Sequence, residues 1–147
     1  MCSFSYELVT QNSDLLATFG VRRTVFVEEQ GISEELDFDV LDREALHFVV
    51  KDRDRVIGTA RVRFLDDKIA KIERMAILKP FRRVGIGSQM ISFLIKELAK
   101  RHIEQVVLCA QIGAVDFYRA CGFEEAGSPF LEAGIQHVKM LRRIEGS

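Results

Sequence analysis

The sequence predicts an α+β fold built on a mixed, mostly antiparallel sheet with helices on its faces. In the first half, short alternating segments are separated by tight turns, which is typical of an antiparallel meander. In the second half, a strand leads through a glycine-rich turn into an amphipathic helix and another apolar strand, which predicts one crossover unit. Because no repeat or linker interrupts the 147 residues, we expect a single domain over 1–147.

In the first half, Asn12 and Ser13 can cap a helix in which Leu15, Phe19 and Phe26 recur at roughly helical spacing. An acidic, broken stretch follows and favours a loop with a short helical turn. Two strands joined at 52–54 then predict an antiparallel hairpin. The predicted elements are strand 4–10, helix 14–29, loop 33–42 and strands 46–51, 55–65 and 68–78.

In the second half, a helix is expected after the glycine-rich turn, with Ile91, Leu94, Ile95 and Leu98 on one face. A short apolar run then predicts a buried strand, and a second helix ends at Gly122. The predicted elements are helix 88–100, strand 105–110, helix 114–121 and strands 123–126 and 136–141.

Composition narrows the possible functions. The net charge of −1 argues against a nucleic-acid partner, which usually requires a basic excess. No stretch reaches the roughly 18 apolar residues of a membrane span. Cys2, Cys109 and Cys121 form no CxxC pair, and the start of the chain does not resemble a secretory leader, so we expect reduced thiols in a cytoplasmic protein. No HExxH motif or Cys/His cluster predicts a metal site.

The glycine-rich turn is the strongest local indication of a ligand. Glycines let the backbone approach a ligand closely, and the first N–H groups of the following helix have no partner within it. Together with the helix dipole they form an anion site, to which two arginines add charge. We therefore expect a pyrophosphate group here. The alternative is a plain turn with solvated arginines. The segment consists of Arg82, Arg83, Val84, Gly85, Ile86, Gly87 and Ser88.

Two motifs, in order, resemble the GCN5-related N-acetyltransferase (GNAT) family. Arg82, Gly85 and Gly87 match its Gln/Arg-x-x-Gly-x-Gly/Ala signature between a strand and a helix. Residues 111–123 resemble Asn-x-x-Ala-x-x-Phe-Tyr-x-x-x-Gly-Phe, with glutamine in place of the asparagine. Segments 21–31, 47–50 and 131–137 resemble a bacterial subgroup typified by YjcF and ElaA, so the similarity covers nearly the whole chain.

The resemblance implies a sheet of about seven strands flanked by about four helices and splayed between strands 4 and 5. It also implies acetyl-CoA as co-substrate, without a metal, with its pantetheine arm in that opening. A backbone N–H near Met75 would then stabilise the oxyanion formed from the thioester. The implied cofactor-binding residues are Met75, Ala76, Ile77, Arg82, Arg83, Val84, Gly85, Ile86, Gly87, Ser88, Gln111, Ala114, Phe117 and Tyr118.

Two residues are candidates for moving protons. Tyr118 is the candidate general acid, because a phenol with a pKa near ~10 stays protonated at neutral pH and can donate to the leaving thiolate. Glu73 is the candidate base, because alternation along a strand places it on the side of Met75 and Ile77. The alternatives are a Tyr118 that only packs beside the cofactor, a Glu73 paired with an arginine on the sheet, and deprotonation through water.

The acceptor is expected to be the amine of a small molecule, acetylated by direct attack in a ternary complex. Glu28, Glu29 and Gln30 end the first long helix, where carboxylates could hold a cationic amine, and His137 is a further candidate contact. The alternatives are that the acidic residues form a solvated helix face and that His137 has only a structural role. An amino sugar phosphate is one option, with its phosphate on Arg22 and Arg23. A homodimer could form through the final strands.

Two other classes of function stay open. A non-catalytic acyl-CoA sensor would need the cofactor site without Tyr118 or Glu73. A dinucleotide-binding oxidoreductase is poorly supported, because Met90 occupies the third glycine position of GxGxxG and the turn follows a meander.

Overall fold

The computed structural model describes residues 4–144, and it confirms the α+β class. Cys2 lies outside the described residues. Within them the chain forms two compact units, residues 4–63 with 74–90, and residues 64–73 with 91–144. The described residues hold eight strands, and most of their pairings are antiparallel.

The first unit contains the predicted meander. Its strands are β1 (Phe4–Leu8), β2 (Leu46–Asp52), most of β3 (Arg55–Phe64) and the end of β4 (Ile69–Ile77), hydrogen-bonded in the order β1-β2-β3-β4. Register partners such as Phe48↔Ala60 bring buried side chains of β2 and β3 together. A bulge between Val50 and Lys51 shifts this register by one residue.

The first helix is less regular than its spacing predicts. Helix α1 (Asn12–Arg22) continues into a π-helical segment, Arg23–Glu29, in which Gln30 N–H donates to the carbonyl of Val25 at 3.1 Å. The wider turn buries Val25 and Phe26, whereas Leu16 is 69% exposed. π turns are rare and frequently lie at functional sites.

The acidic loop predicted over 33–42 contains two short helical turns. They are α2 (Glu34–Asp37) and a 3₁₀ turn, Val40–Arg43. Asp39 caps the 3₁₀ turn, because its Oδ1 accepts the backbone N–H of Leu41 at 3.1 Å. This capping is the usual role of aspartate before a helical turn.

The second unit holds the start of β4 and the strands β5 (Gln105–Gln111), β6 (Glu124–Glu125), β7 (Phe130–Glu132) and β8 (Ile135–Arg143). The order is β4-β5-β8-β6, and β7 also pairs with β8. The parallel register of β4 with β5 runs from Ile69↔Gln105 to Lys71↔Val107, while β4 continues to Ile77, in agreement with the predicted splay. Strand β7 was not predicted, because all three of its residues are exposed and show no alternation.

Helix α3 (Ile86–Lys100) begins two residues before the prediction and buries the predicted face. Ile91, Leu94 and Leu98 are at most 1% exposed. Helix α4 (Val115–Ala120) follows a 3₁₀ turn, Ile112–Ala114. Over residues 4–144, none of the helices combines the length and the apolar character needed to cross a lipid bilayer.

Candidate functional site

The glycine-rich turn lies in the first unit, between the 3₁₀ turn Lys79–Phe81 and helix α3. Its backbone is left-handed at Arg83 (φ 66°) and at Gly85 (φ 90°). Arg83, Val84 and Gly85 are exposed, whereas Ile86 is 3% exposed and anchors the helix start. The first helical bond runs from Gln89 N–H to the carbonyl of Gly85 at 3.1 Å.

This turn fits the diphosphate that the sequence predicts. Left-handed residues at short spacing turn successive N–H groups towards one side, and such a concavity binds anions. A Cβ added at Gly85 would meet nothing within 4 Å, so the space beside the turn is open to a ligand. The N–H groups of Ile86, Gly87 and Ser88 belong to the first turn of a 15-residue helix, whose dipole favours negative charge there.

The side chain of Arg82 is engaged within the protein. Its Nη1 and Nη2 donate to the two carboxylate oxygens of Glu29 at 2.7 and 2.8 Å, and its Nε donates to the carbonyl of Ile77 at 2.8 Å. The Arg82 hydrogen bonds and charge lower the pKa of Glu29, and Glu29 raises the pKa of Arg82. The structure thus pairs a predicted phosphate contact with a predicted amine contact. We call this pair the Arg82–Glu29 latch.

The end of β4 packs closely on its neighbour in the first unit. Ala76 is 4% exposed, and a Cβ built on Gly58 of β3 would lie 3.3 Å from the Ala76 carbonyl oxygen. Leu78 N–H donates to the carbonyl of Ile57 at 2.9 Å. Before this stretch, Arg74 adopts a left-handed backbone (φ 54°) inside the strand. The alternation that predicted the direction of Glu73 relative to Met75 is therefore interrupted at Arg74.

Around Arg74, three arginines and three aspartates of the first unit form a closed ring of alternating charge. Each arginine contacts two aspartates, and each aspartate contacts two arginines. The closest N–O distances are Arg22–Asp42 2.7 Å, Asp42–Arg61 3.1 Å, Arg61–Asp39 2.7 Å, Asp39–Arg74 3.3 Å, Arg74–Asp37 3.2 Å and Asp37–Arg22 3.4 Å. We call it the charge ring.

Much of the charge ring is withdrawn from water. Arg22 is 0% exposed, Arg61 1% and Asp37 2%. Burial raises the pKa of Asp37, although Arg22 and Arg74 oppose that rise. For Asp42, burial acts in the same direction, but the hydrogen bonds and charges of Arg22 and Arg61 together lower its pKa. A buried cluster of charges such as the charge ring is tolerated in a protein interior only because every charge has partners of opposite sign.

His47 lies beside the charge ring. Its Nε2 is 2.9 Å from the carbonyl oxygen of Asp42, and its ring packs edge-to-face on Phe19 at 6.0 Å. Burial lowers the pKa of His47, with Arg22 and Arg61 adding to the decrease and Asp42 opposing it. The histidine is therefore neutral near pH 7.

The charge ring is not predicted by the sequence pattern. Arg22, expected as a phosphate contact or as part of a solvated helix face, is buried, whereas Arg23 is exposed and pairs with Glu34 at 2.5 Å. The available signal was an arginine at the position after the buried Val21, on the core side of α1.

Tyr118 lies on α4 in the second unit and is half-buried between aromatic rings. Its ring centroid is 5.0 Å from that of Phe117 and 6.0 Å from that of Phe123. Burial, with a smaller contribution from Cys121, raises the pKa of Tyr118 to about 12. The phenol therefore keeps its proton throughout the physiological range.

Other predicted residues of the second unit also have defined positions. Glu73 pairs with Lys71, whose Nζ lies 3.3 Å from Oε2. Gln111, at the end of β5, is the register partner of His137 on β8. The His137 ring stacks on Phe130 at 6.0 Å, with Nδ1 2.7 Å from the Ile135 carbonyl oxygen. Ala114 ends the 3₁₀ turn before α4.

The remaining predicted acceptor residues, Glu28 and Gln30, are exposed at the end of the π-helical segment. Among residues 4–144, no group of three His, Cys, Asp or Glu side chains is arranged to hold a metal ion.

Comparison with known proteins gives consistent results. The sequence pattern described as "Acetyltransferase (GNAT) domain" matches residues 8–144. The N-acetyltransferase YjcF of Bacillus subtilis is 35% identical over 137 residues, which cover 92% of this chain and 97% of that protein. The crystal structure of a Lactobacillus plantarum protein named for N-acetyltransferase activity is 26% identical, with a TM-score of 0.91 over 97% of this chain and 99% of its own. Escherichia coli ElaA is 25% identical, with a TM-score of 0.83 over the same shares.

Proposed function

This chain belongs to the acetyltransferase (GNAT) family and is an acyl-CoA-dependent N-acetyltransferase, and we propose that it acetylates the amine of a small molecule by direct attack in a ternary complex. The predicted resemblance to YjcF and ElaA is confirmed. The observation that carries the proposal is the turn at 82–88, which is exposed at 83–85 and has two left-handed residues and open space beside Gly85. We further propose that 1–147 acts as one catalytic domain in the cytoplasm.

In this proposal the diphosphate of acetyl-CoA is held by backbone N–H groups of 82–88. Arg83 is exposed and has no ion-pair partner among residues 4–144, so its charge is available to a phosphate. Arg82 contributes chiefly by holding the turn, because its guanidinium already serves Glu29 and Ile77. Gln111, Ala114 and Phe117 remain proposed contacts of the cofactor.

The chemistry supplied by acetyl-CoA is an activated acetyl group on sulfur. The amine nitrogen attacks the carbonyl carbon, so a C–N bond forms and the C–S bond breaks. The backbone at Met75 is proposed to stabilise the negative charge that develops on the carbonyl oxygen. Tyr118 gives its proton to the departing thiolate and regains one from water. Glu73, directly or through water, takes the proton that the amine loses.

The acceptor side is proposed to include Glu28, Gln30 and His137. Glu29 is a weaker candidate for a cationic amine than its position suggests, since its carboxylate is satisfied by Arg82. The amino sugar phosphate option loses one support, because Arg22 is buried in the charge ring and cannot reach a phosphate in solvent. A small amine without a phosphate is therefore the preferred class.

An acetyl-transfer assay over a panel of amines tests the proposal. We expect turnover by the parent, and a loss of about 10²-fold in kcat for Tyr118→Phe with acetyl-CoA affinity unchanged, which is the usual contribution of a positioned acid. Tyr6→Phe, on β1, is the matched control and should behave as the parent. Equal turnover in Tyr118→Phe would remove the acid role. A parent that binds acetyl-CoA without transferring acetyl to any amine would instead be a sensor.

A further inference from the structure

We propose that Arg74 is a positioning residue for acetyl transfer. Its guanidinium is bound by segment 33–43. These contacts hold the left-handed backbone of β4 at residue 74, which we call the kink, and the kink determines the position of Met75–Ile77. This inference rests on the proposed function, which assigns that stretch to the thioester. It concerns the first unit alone, to which Arg74, the gripping segment and residues 75–77 all belong.

The kink requires an explanation, because Arg74 is left-handed (φ 54°) within a strand. In an L-residue this conformation brings Cβ close to the following carbonyl oxygen, so it is disfavoured. Non-glycine residues held in this way persist where the surrounding structure over-determines them, and they cluster at functional sites. An arginine here must therefore be held by contacts of its own.

Those contacts come from one segment and use both carbonyl and carboxylate oxygens. Arg74 Nη2 donates to the carbonyl of Leu36 at 3.0 Å and to Oδ2 of Asp39 at 3.3 Å. Arg74 Nε donates to the carbonyl of Asp37 at 3.1 Å and lies 3.2 Å from its Oδ1. Leu36 and Asp37 end α2, so the guanidinium also covers the carbonyl end of that helical turn.

The anchor is rigid because the charge ring continues behind it. Asp37 is also held by Arg22, and Asp39 by Arg61, both of which are buried. Arg22 and Arg61 meet at Asp42, which closes the ring. A carboxylate fixed from its far side cannot follow a moving arginine, so Arg74 has one preferred position.

The same contacts couple the acceptor side to the acetyl side. The loop that contains Leu36 and Asp37 directly follows the proposed acceptor contacts Glu28 and Gln30, and it is joined to β4 through Arg74. Movement of this loop would therefore be transmitted to residues 75–77.

The test compares Arg74→Ala with Arg74→Gly. Alanine removes the grip and disfavours the left-handed backbone, so we expect kcat to fall at least ten-fold while the Kd for acetyl-CoA stays within two-fold. Glycine removes the grip but accepts that backbone freely, so it should restore part of kcat. Asp39→Asn should lower kcat in the parent and have no further effect in Arg74→Gly, as a double-mutant cycle would measure.

Arg53 provides the matched control, because it is a left-handed arginine (φ 57°) in the exposed β2–β3 turn. Arg53→Ala should leave kcat unchanged. Hydrogen exchange gives a readout independent of turnover: residues 69–78 should exchange faster in Arg74→Ala than in the parent. Unchanged hydrogen exchange in residues 69–78 would contradict the proposal that the contacts of Arg74 hold the conformation of β4.

An active parent with an equally active Arg74→Ala would overturn this inference alone. So would an Arg74→Gly variant no faster than Arg74→Ala, because Arg74 would then be merely structural. A parent that binds acetyl-CoA yet transfers acetyl to no amine would overturn the proposed function, and this inference with it.

Discussion

The charge ring and the glycine-rich turn lie in the same compact unit and use charge in opposite ways. In the ring, three arginines and three aspartates pair with one another, and Arg22 and Arg61 are at most 1% exposed. In the turn, Arg83, Val84 and Gly85 are exposed, Arg82 is paired with Glu29, and the proposed contacts of the diphosphate are backbone N–H groups. Charged side chains thus contribute to the fold where water is excluded, whereas we propose that main-chain N–H groups bind the ligand where water has access.

The largest expected effect comes from opening the charge ring. Arg22→Ala leaves Asp37 and Asp42 each with one cation in a buried site, so we expect a loss of about 3–5 kcal/mol in the free energy of unfolding. Arg83→Ala, in the exposed turn, should change it by less than about 0.5 kcal/mol. Urea unfolding of both variants measures the difference. A loss below about 1 kcal/mol for Arg22→Ala would show that the ring adds little to stability.

The proposed anion site at the glycine-rich turn should be disrupted by adding a negative charge rather than by removing a charged side chain. Gly87→Glu places a carboxylate in the first turn of α3, where it would face the diphosphate, so the Kd for acetyl-CoA should rise at least ten-fold, or about 1.4 kcal/mol. The fold should persist, because Gly87 lies in helix α3 and glutamate favours a helix. Ser92→Glu adds the same charge at an exposed position of α3 and is the calorimetric control. Equal affinity in Gly87→Glu and the parent would refute this location of the diphosphate.

As the pH falls, the stability of the region around the charge ring should decrease before the glycine-rich turn is affected. His47 has its pKa lowered by burial, so the unfolded chain binds the proton more readily than the folded one. The stability that neutral His47 contributes is therefore fully present above about pH 6.5 and is lost as the pH falls through the folded-state pKa of His47. Thermal unfolding from pH 7.5 to 5.5 should show a shallower dependence in His47→Gln than in the parent. His102→Gln, at an exposed site, should keep the parental slope.

The smallest expected effect comes from opening the Arg82–Glu29 latch. Because the pair is partly exposed, Glu29→Gln should change stability by less than about 1 kcal/mol. If Arg82 supports the turn, its release should weaken acetyl-CoA binding a few-fold. Tighter binding in Glu29→Gln would show instead that the freed guanidinium contacts the diphosphate. Lys100→Gln, which opens an exposed pair at the other end of α3, is the control.

Local features made the turn and the core face of α3 predictable. The spacing of Ile91, Leu94 and Leu98 is a property of neighbouring residues, and so is the position of Gly85 between a strand and a helix. The exposed strand β7 could not be predicted, because it is specified by its pairing with β8 rather than by an apolar pattern. The π-helical character of Arg23–Glu29 likewise left no distinct spacing.

By itself, the sequence determined the α+β class, the family and the location of the candidate diphosphate turn, because each depends on periodicity or on residues close together in the chain. Only the tertiary structure decided which charges are available. Arg22, Asp42, Arg61 and Arg74 are separated by 13–20 residues along the chain, and nothing in their spacing announces a closed ring. Electrostatic partners are chosen by distance in space and by exclusion of water, and both exist only once the chain has folded.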